Sequence, residues 1–573
     1  MTEQFFTTWD GTRLFYRVWQ PAAPAAQPHQ QKALLLFHRG HEHSGRFEEV
    51  ARRLGSPDFA VFAYDARGHG RSPGDRGWAE SFASLVRDAD CFLRHIGSKY
   101  GILPENTAVV AHSIGAVLAA TWLHDYAPPI RALVLASPAF RVKLYVPFAL
   151  AFLRLRLKVQ AKAFVKSYVR PGMLTHDAAE CAGYASDPLI SRSVAVNLLV
   201  EMHDASTRLL ADAAAIRTPT LILSSGKDYV VELPAQRRFF QALSSPVKYG
   251  QEFPGLFHDL LHERDRELPL AQAAEFLRRA FEQPPADDGA PRNQQQYELL
   301  SRPARRFTPA GLNWGAQRLF LKTLGKLSRG IRTGWHCGFD SGESLDYVYR
   351  NQPQGSALLG RLIDRVYLNA PGWRGVRQRK LHLETLLLQA IGQLRAQGRP
   401  VHIFDPAAGG GSYVLETVSR LGGAPISITL RDWSPSNVEA ASRLARQLGL
   451  ADVTVTRGDA FDRASLASVE PRPGIAIVSG LYELFPDNDR VRESLLGLSG
   501  ALADGGYLIY TNQPWHPQLE MIARVLRNRE GKPWVMRCRA QAEMDALVRA
   551  GGFRKLETLV AGDGIFTVSL AQR

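Results

Sequence analysis

No stretch of the 573-residue chain reaches the roughly 18 consecutive apolar residues that a membrane-spanning helix needs. Cysteine is scarce. Cys91, Cys181, Cys337 and Cys538 lie far apart with no metal-ligand spacing, which excludes a disulfide-framed secreted fold and fits reduced thiols in the cytoplasm. The opening Met1-Thr-Glu-Gln-Phe-Phe-Thr-Thr-Trp-Asp10 has no basic segment followed by an apolar one, so it is not read as a secretory signal. There is no internal repeat. Acid is missing from two stretches: Arg141 to Arg170 and Arg302 to Arg332 each hold eight Lys or Arg and no Asp or Glu, and together they account for the net charge of +15. Such stretches are solvated helix faces or sites of attraction to an anionic membrane or nucleic acid.

What is present is an ordinary globular composition, 45% apolar, long enough for about two to four domains. Residues 282–300 are polar and rich in Pro, Gly and Gln, and read as a linker. Before it, the buried-strand runs Lys32–His38, Ala60–Tyr64, Thr107–Ala111, Ala132–Ala136 and Thr220–Ser224 alternate with helical patterns, which predicts a parallel sheet covered on both faces. Phe5–Trp19, with Asp10-Gly11 near its centre, reads as an antiparallel hairpin. After the linker, a basic helical region spans 301–395. A second strand and helix series occupies 396–573, with strands at Val401–Phe404, Ile426–Leu430, Val453–Val455, Ile475–Val478 and Tyr507–Tyr510. The two α/β halves differ in their motifs and are expected to be separate domains.

In the first half, Val109-Val110 ends a strand, Val117 onward begins a helix, and Ser113 lies between them, flanked by the small residues Ala111 and Ala116. A serine at such a turn holds its hydroxyl above the sheet, but it needs a base to take its proton. In the order serine, acid, histidine, Asp228 follows the strand Thr220–Ser224, and His258 follows Phe253-Pro-Gly-Leu-Phe257. His258 is expected as the general base and Asp228 as the group that orients it. His262 is the rival, one helical turn further on. The N–H of Ile114 is expected to form half of the oxyanion hole.

Two further segments make a resemblance close. His38-Arg-Gly40-His-Glu-His-Ser-Gly-Arg-Phe47 is similar to the oxyanion loop of monoacylglycerol lipases and bacterial lysophospholipases, and Asp65-Ala-Arg-Gly-His-Gly-Arg-Ser72 looks like their Asp-to-Ser turn. The resemblance covers roughly residues 5–280. It implies an α/β-hydrolase fold over 1–281, a helical lid at about 138–210, Gly40 as the second oxyanion N–H, and lipid esters as substrates. Arg39 and His41 stand where that family has glycines. Metal binding by His38, His41 and His43 is disfavoured by their loop context, and no metal is expected. In the lid, the apolar Leu144–Leu153 followed by Arg154, Arg156, Lys158, Lys162 and Lys166 suits either a roof over an acyl pocket or adsorption to an anionic lipid surface.

In the second half, Val401-His-Ile-Phe-Asp405-Pro-Ala407-Ala-Gly409-Gly-Gly411 runs from strand to acid to glycine loop. A dinucleotide fingerprint needs a further glycine where Val414 stands. The pattern resembles motif I of class I S-adenosylmethionine-dependent methyltransferases. That resemblance implies a Rossmann-like fold and S-adenosylmethionine as cofactor. Asp405 would balance its amino-acid end, the small residues Ala407, Gly409 and Gly411 would let the backbone approach it, Asp432 would lie at the ribose, and Asp459 and Ala460 at the adenine. Ser479–Phe485 follows the fourth strand, and a hairpin Leu556–Val560 with Ile565–Leu570 closes the series. The whole chain resembles a bacterial bifunctional hydrolase–methyltransferase family, whose acceptor the resemblance does not supply. Tyr347, Arg350 and Arg377 are candidates for the acceptor site.

The expected protein is therefore cytoplasmic, associates with the inner face of the membrane, hydrolyses lipid esters and transfers a methyl group. The competing expectation is a nucleic-acid-modifying methyltransferase with an accessory hydrolase-like domain. It is motivated by the basic stretch 302–332 and weakened by its sparse aromatics, Phe307, Trp314 and Phe320.

Overall fold

The computed structural model describes residues 1–55, 57–282, 293–303, 307–421 and 425–573. The chain divides into two units, Met1–Asp288 and Gly289–Arg573. Most of the expected linker lies outside the described residues. Its last part does not: Asn293–Ser301 is helical.

The first unit is built on ten strands: β1 Thr2–Thr7, β2 Arg13–Trp19, β3 Lys32–Phe37, β4 Phe59–Tyr64, β5 Thr107–His112, β6 Ala132–Ala136, β7 Phe164–Lys166, β8 Ser193–Ala195, β9 Thr220–Ser225 and β10 Lys248–Phe253. Eight of them form one sheet in the order β1-β2-β4-β3-β5-β6-β9-β10. Only β2 runs against its neighbours. The central strands are continuous Leu, Val and Ala runs because helices cover both faces, and Leu34, Leu36, Val110 and Val134 are wholly buried in the core. This is the α/β-hydrolase fold. The chain crosses from β4 past β3 to β5, so the carboxyl ends of β3 and β5 flank a topological switch point, where open α/β sheets bind ligands.

The inserted segment near 138–210 is not purely helical. The helices Ala149–Val159, Ala178–Ser186 and Val196–Asp212 are joined by an antiparallel ribbon of β7 and β8, three residues each. The helix 149–159 packs Leu153 inward with Leu150 and Leu157. Its other side exposes Phe152 and Leu155, and Phe148 and Val159 at its ends are 87% and 86% exposed. The apolar residues thus face two ways: one side packs on Val196 and Val200, and the other is exposed.

The second unit has β11 Val401–Asp405, β12 Ile426–Asp432, β13 Val453–Arg457, β14 Ile475–Val478, β15 Tyr507–Asn512, β16 Arg554–Val560 and β17 Thr567–Gln572. They are ordered β13-β12-β11-β14-β15-β17-β16, with β17 antiparallel to both of its neighbours. This Rossmann-like sheet has its switch point between β11 and β14. The long helix Pro371–Ala396 packs Leu383, Leu386, Leu387 and Leu394 on the sheet core. Its amino-terminal turns instead join a second cluster with Phe339, Trp373, Ile522 and Phe566.

Candidate functional sites

Ser113 caps β5 and precedes the helix Ile114–Tyr126 at φ +57°, ψ −114°, a backbone conformation that costs a non-glycine residue energy and recurs at functional turns. The turn is tight because helix and sheet meet closely. A Cβ at Gly115 would lie 2.5 Å from the His38 carbonyl oxygen and 2.7 Å from that of Phe37. The second small residue the turn requires is therefore Gly115, not Ala116.

His258 Nε2 lies 2.8 Å from Ser113 Oγ, and its Nδ1 lies 2.8 Å from Asp228 Oδ2. The other Asp228 oxygen accepts from the N–H groups of Val230 and Val231 at 2.7 and 2.9 Å. Burial works against charge on Asp228, but His258 and these bonds hold its carboxyl below the usual range. All three side chains are buried. A proton can pass from the serine hydroxyl to the imidazole, and the carboxylate can balance the resulting charge.

Ile114 is the first helical residue, so its N–H has no intrahelical partner. Gly40 touches it closely, because a Cβ there would fall 2.7 Å from Ile114 Cδ1. Gly40, Ile114, Ser113 and His258 line one cavity of about 100 Å³, walled by Val142, Val165, Val169, Leu199 and Val230.

His262 does not reach Ser113. Its Nδ1 is 2.9 Å from Asp259 and its Nε2 2.8 Å from the Arg46 carbonyl oxygen. Arg39 is buried and neutralised by Glu42 at 2.6 Å and Asp259 at 3.4 Å, so it adds no net charge to the cavity it lines. His41 adopts φ +74°, where a glycine would be unstrained. The three loop histidines do not converge: His38 accepts from Ala66 N–H, and His43 faces Asp187.

In the second unit the glycine loop follows β11. Gly409 and Gly411 have φ of +57° and +68°. A Cβ at Gly411 would meet Leu430 at 2.7 Å, whereas beyond Gly409 the space is open. Ala407, Gly409, Gly411 and Asp432 line a cavity of about 100 Å³. Asp432 Oδ2 accepts from Gly409 N–H at 2.9 Å, and Oδ1 accepts from Ser434 N–H and the Asn437 amide. One acceptor position on Oδ2 remains for a ligand hydroxyl.

Asp405 lies elsewhere than its motif suggests. It is fully buried, accepts from the Tyr413 hydroxyl and Ala407 N–H, and does not line the cavity; burial, against those bonds, raises its pKa to about 7. It shapes the loop from behind. The carboxylate facing the loop is Asp346, from the helix Gly342–Arg350, and a Cβ on Gly410 would lie 3.6 Å from it. Asp459 and Ala460 do not line the cavity either; Asp459 caps the turn by accepting from Phe461 N–H at 2.9 Å.

Of the acceptor-site candidates, Tyr347 is turned to Asp364, Arg377 donates to the Leu368 carbonyl oxygen at 2.9 Å, and Arg350 is exposed. None lines this cavity or the larger one beside it. The residues that do come from segments well before the glycine loop: Asp346 and Arg379 from helices, and Asp340 from the turn before the helix Gly342–Arg350. In the sequence they read as ordinary surface charges.

A family model described as "Putative methyltransferase" matches residues 273–573. The chain belongs to this family. A second model, described as "Serine aminopeptidase, S33", matches residues 28–265, so a hydrolase domain precedes the methyltransferase domain. Over its full length the chain is similar to "Uncharacterized protein YnbC" of Escherichia coli (strain K12), 48% identical over 579 residues that cover 100% of this chain and 98% of that one. The hydrolase domain alone is similar to a monoglyceride lipase of Homo sapiens, 31% identical over 268 residues, 45% of this chain and 83% of that one. It is also 24% identical over 277 residues to a monoacylglycerol lipase of Mycolicibacterium smegmatis, covering 48% and 96%.

Proposed function

We propose that the hydrolase domain, taken as 1–281, cleaves carboxyl esters of lipids through an acyl-Ser113 intermediate. The observation that carries this is the continuous contact from Ser113 through His258 to Asp228, with Ser113 and His258 lining a largely apolar cavity. Ser113 Oγ attacks the ester carbonyl and its proton passes to His258 Nε2. The N–H groups of Gly40 and Ile114 receive the developing oxyanion. The alcohol leaves with that proton, and water, deprotonated by the same imidazole, releases the acid. Apolar walls suit an acyl chain better than a peptide amino terminus, and the monoacylglycerol lipases among the relatives point the same way.

The methyltransferase domain, with its core at 396–573 and helical region at 301–395, would use S-adenosylmethionine. The cradle fits that molecule: open space over Gly409, one free acceptor position on Asp432, and Asp346 facing the loop where an ammonium group would lie. When bound, the cofactor supplies an electrophilic methyl on a sulfonium. The chain's own part is to hold it and orient the acceptor.

A lipid substrate and the exposed apolar side of helix 149–159 support adsorption to an anionic membrane. Phe152 and Leu155 stand exposed near Arg154, Arg156 and Lys158. In the second unit, helix Ala357–Leu368 exposes Leu358, Leu359, Leu362 and Val366 in the same manner. No helix among the described residues is long and apolar enough to cross a membrane. The nucleic-acid reading is the weaker one: in the second basic stretch, Arg318 donates to the Arg524 carbonyl oxygen and Arg329 to Gln354, so these two side chains are tied down within the unit.

Fluorophosphonate labelling tests the first reading. Wild type and Asp432→Ala should label and Ser113→Ala should not; a folded wild type that does not label overturns it. Calorimetry with S-adenosylmethionine tests the second: micromolar binding to wild type that is lost in Asp432→Ala supports it, and no binding to wild type overturns it.

A further inference from the structure

Beside the glycine-loop cavity lies a larger one, of about 170 Å³, within the second unit. Ile331, Phe339, Trp373, Ile522, Trp534 and Phe566 form its walls, which are almost wholly apolar. The two cavities share Asp340, Leu345, Arg379, Gly480 and Leu484, so they are adjacent.

The polar end of this cavity is incomplete as it stands. Arg379, on the helix Pro371–Ala396, is 4% exposed. It donates from Nη1 to Glu483 Oε1 at 3.2 Å and rests over the Phe566 ring, and its Nε has no hydrogen-bond partner. Gly480, at φ +67°, leaves room for the guanidinium, since a Cβ there would come within 3.1 Å of both Nη atoms. Glu483 is 7% exposed and its Oε2 is also unpartnered. Its backbone is pinned by Arg537, whose N–H donates to the Glu483 carbonyl oxygen at 2.8 Å. His516 also lines this cavity. Its Nδ1 accepts from Gln518 N–H at 3.0 Å, which leaves the ring hydrogen on Nε2, and burial lowers its pKa to about 4, so it is a neutral donor.

Glu483 thus offers this cavity a buried acceptor, and Arg379, Trp534 and His516 offer donors, the Trp534 Nε1 being unpartnered as well. A carboxylate would satisfy the donors, strand Glu483 Oε2 and add a second buried anion. A hydroxyl satisfies both kinds, donating to Glu483 and accepting from Arg379 or His516. A carboxylate base can deprotonate a hydroxyl on a ring or enol carbon during methyl transfer, but not an aliphatic alcohol, whose proton is held far more tightly.

We infer that this cavity binds the methyl acceptor, that the acceptor is an apolar phenol or enol, and that Glu483 is its general base. The inference rests on the reading of this domain as a methyl-transferring enzyme. As the acceptor oxygen bonds to the methyl carbon, the carbon–sulfur bond breaks with its electron pair kept on sulfur, and the hydroxyl proton moves to Glu483 Oε2. The product is a methyl ether. Arg379 is a positioning residue for Glu483, and Trp373 and Trp534 hold the ring.

The test uses the full chain, methyl-labelled S-adenosylmethionine, and three probes of similar size: 4-pentylphenol, decanoic acid and decan-1-ol. Cofactor binding is measured separately by calorimetry. Labelled ether should form from the phenol alone. Glu483→Gln should lower its kcat about 10²-fold or more while cofactor binding stays within twofold. The same variant should lose much less with 4-nitrophenol, which is already ionised at pH 8. Ile522→Trp, which fills the cavity, should lose ether formation and keep cofactor binding, the latter also showing that it is folded. Bound cofactor with no methylation of the phenol, methylation of the acid or alcohol instead, or equal losses with both phenols in Glu483→Gln would each overturn the inference and leave the cofactor reading standing. Absence of cofactor binding to wild type would overturn both.

Discussion

The hydrolase site depends on single groups whose partners are all named. Asp228 fixes which His258 nitrogen carries the proton, so Asp228→Asn should keep the fold and lower ester turnover about 10³–10⁴-fold, read as kcat on a soluble short-chain ester. Gly115 is where the chain has no room: Gly115→Ala puts a methyl group against two carbonyl oxygens, and should cost about 1–3 kcal/mol and shift Ser113 out of reach of His258. Thermal melting and fluorophosphonate labelling of that variant should both fall. Behind the site, burial opposes charge on His262, yet the Asp259 carboxylate and then Glu42 raise its pKa to about 9. His124, held between Asp125 and Asp212, is likewise raised to about 9 against its burial. For a group raised in the folded state, the stabilisation is complete below the unfolded value near 6.5 and is lost as pH climbs through 9. The melting temperature of the hydrolase domain should therefore fall between pH 6.5 and 9.5, with His262 contributing on the order of 1–3 kcal/mol. His262→Gln should flatten that slope, and an unchanged slope would remove His262 from the explanation.

At the level of elements, what could be read in advance follows from how each element is buried. Strands covered on both faces carry unbroken apolar runs, so β3, β5, β6 and β9 were legible to within a residue or two. The lid ribbon was not, because three-residue strands such as Phe164–Lys166 carry no periodicity. The same contrast divides the sites. The hydrolase residues sit at strand ends, each beside its own local signal. The cavity at the glycine loop draws Asp346 and Arg379 from helices that precede the loop in the chain and carry no motif of their own; a buried guanidinium on a helix reads like a solvated one until its partner is known. The helix 149–159 carries its own prediction. Phe152→Glu with Leu155→Glu should weaken co-sedimentation with anionic vesicles and lower hydrolysis of emulsified esters, with little change on a soluble ester. Adsorption should also fall with salt, since each basic residue near such a surface is worth about 1 kcal/mol. Equal losses on soluble and emulsified esters would make the helix a roof only.

For the molecule as a whole, the two units have separate sheets, separate cores and separate cavities. Ligand binding to one should stabilise that one: at about 100 times its dissociation constant, S-adenosylmethionine should add roughly 2.7 kcal/mol to the methyltransferase domain and leave the hydrolase transition unmoved in calorimetry. The most direct test of two working sites on one chain is native mass spectrometry of the full-length protein after exposure to a fluorophosphonate and S-adenosylmethionine together. The expected result is a single species carrying one covalent adduct and one bound cofactor, with Ser113→Ala losing only the adduct and Asp432→Ala only the cofactor. A folded wild-type chain that carries one and never both would contradict it.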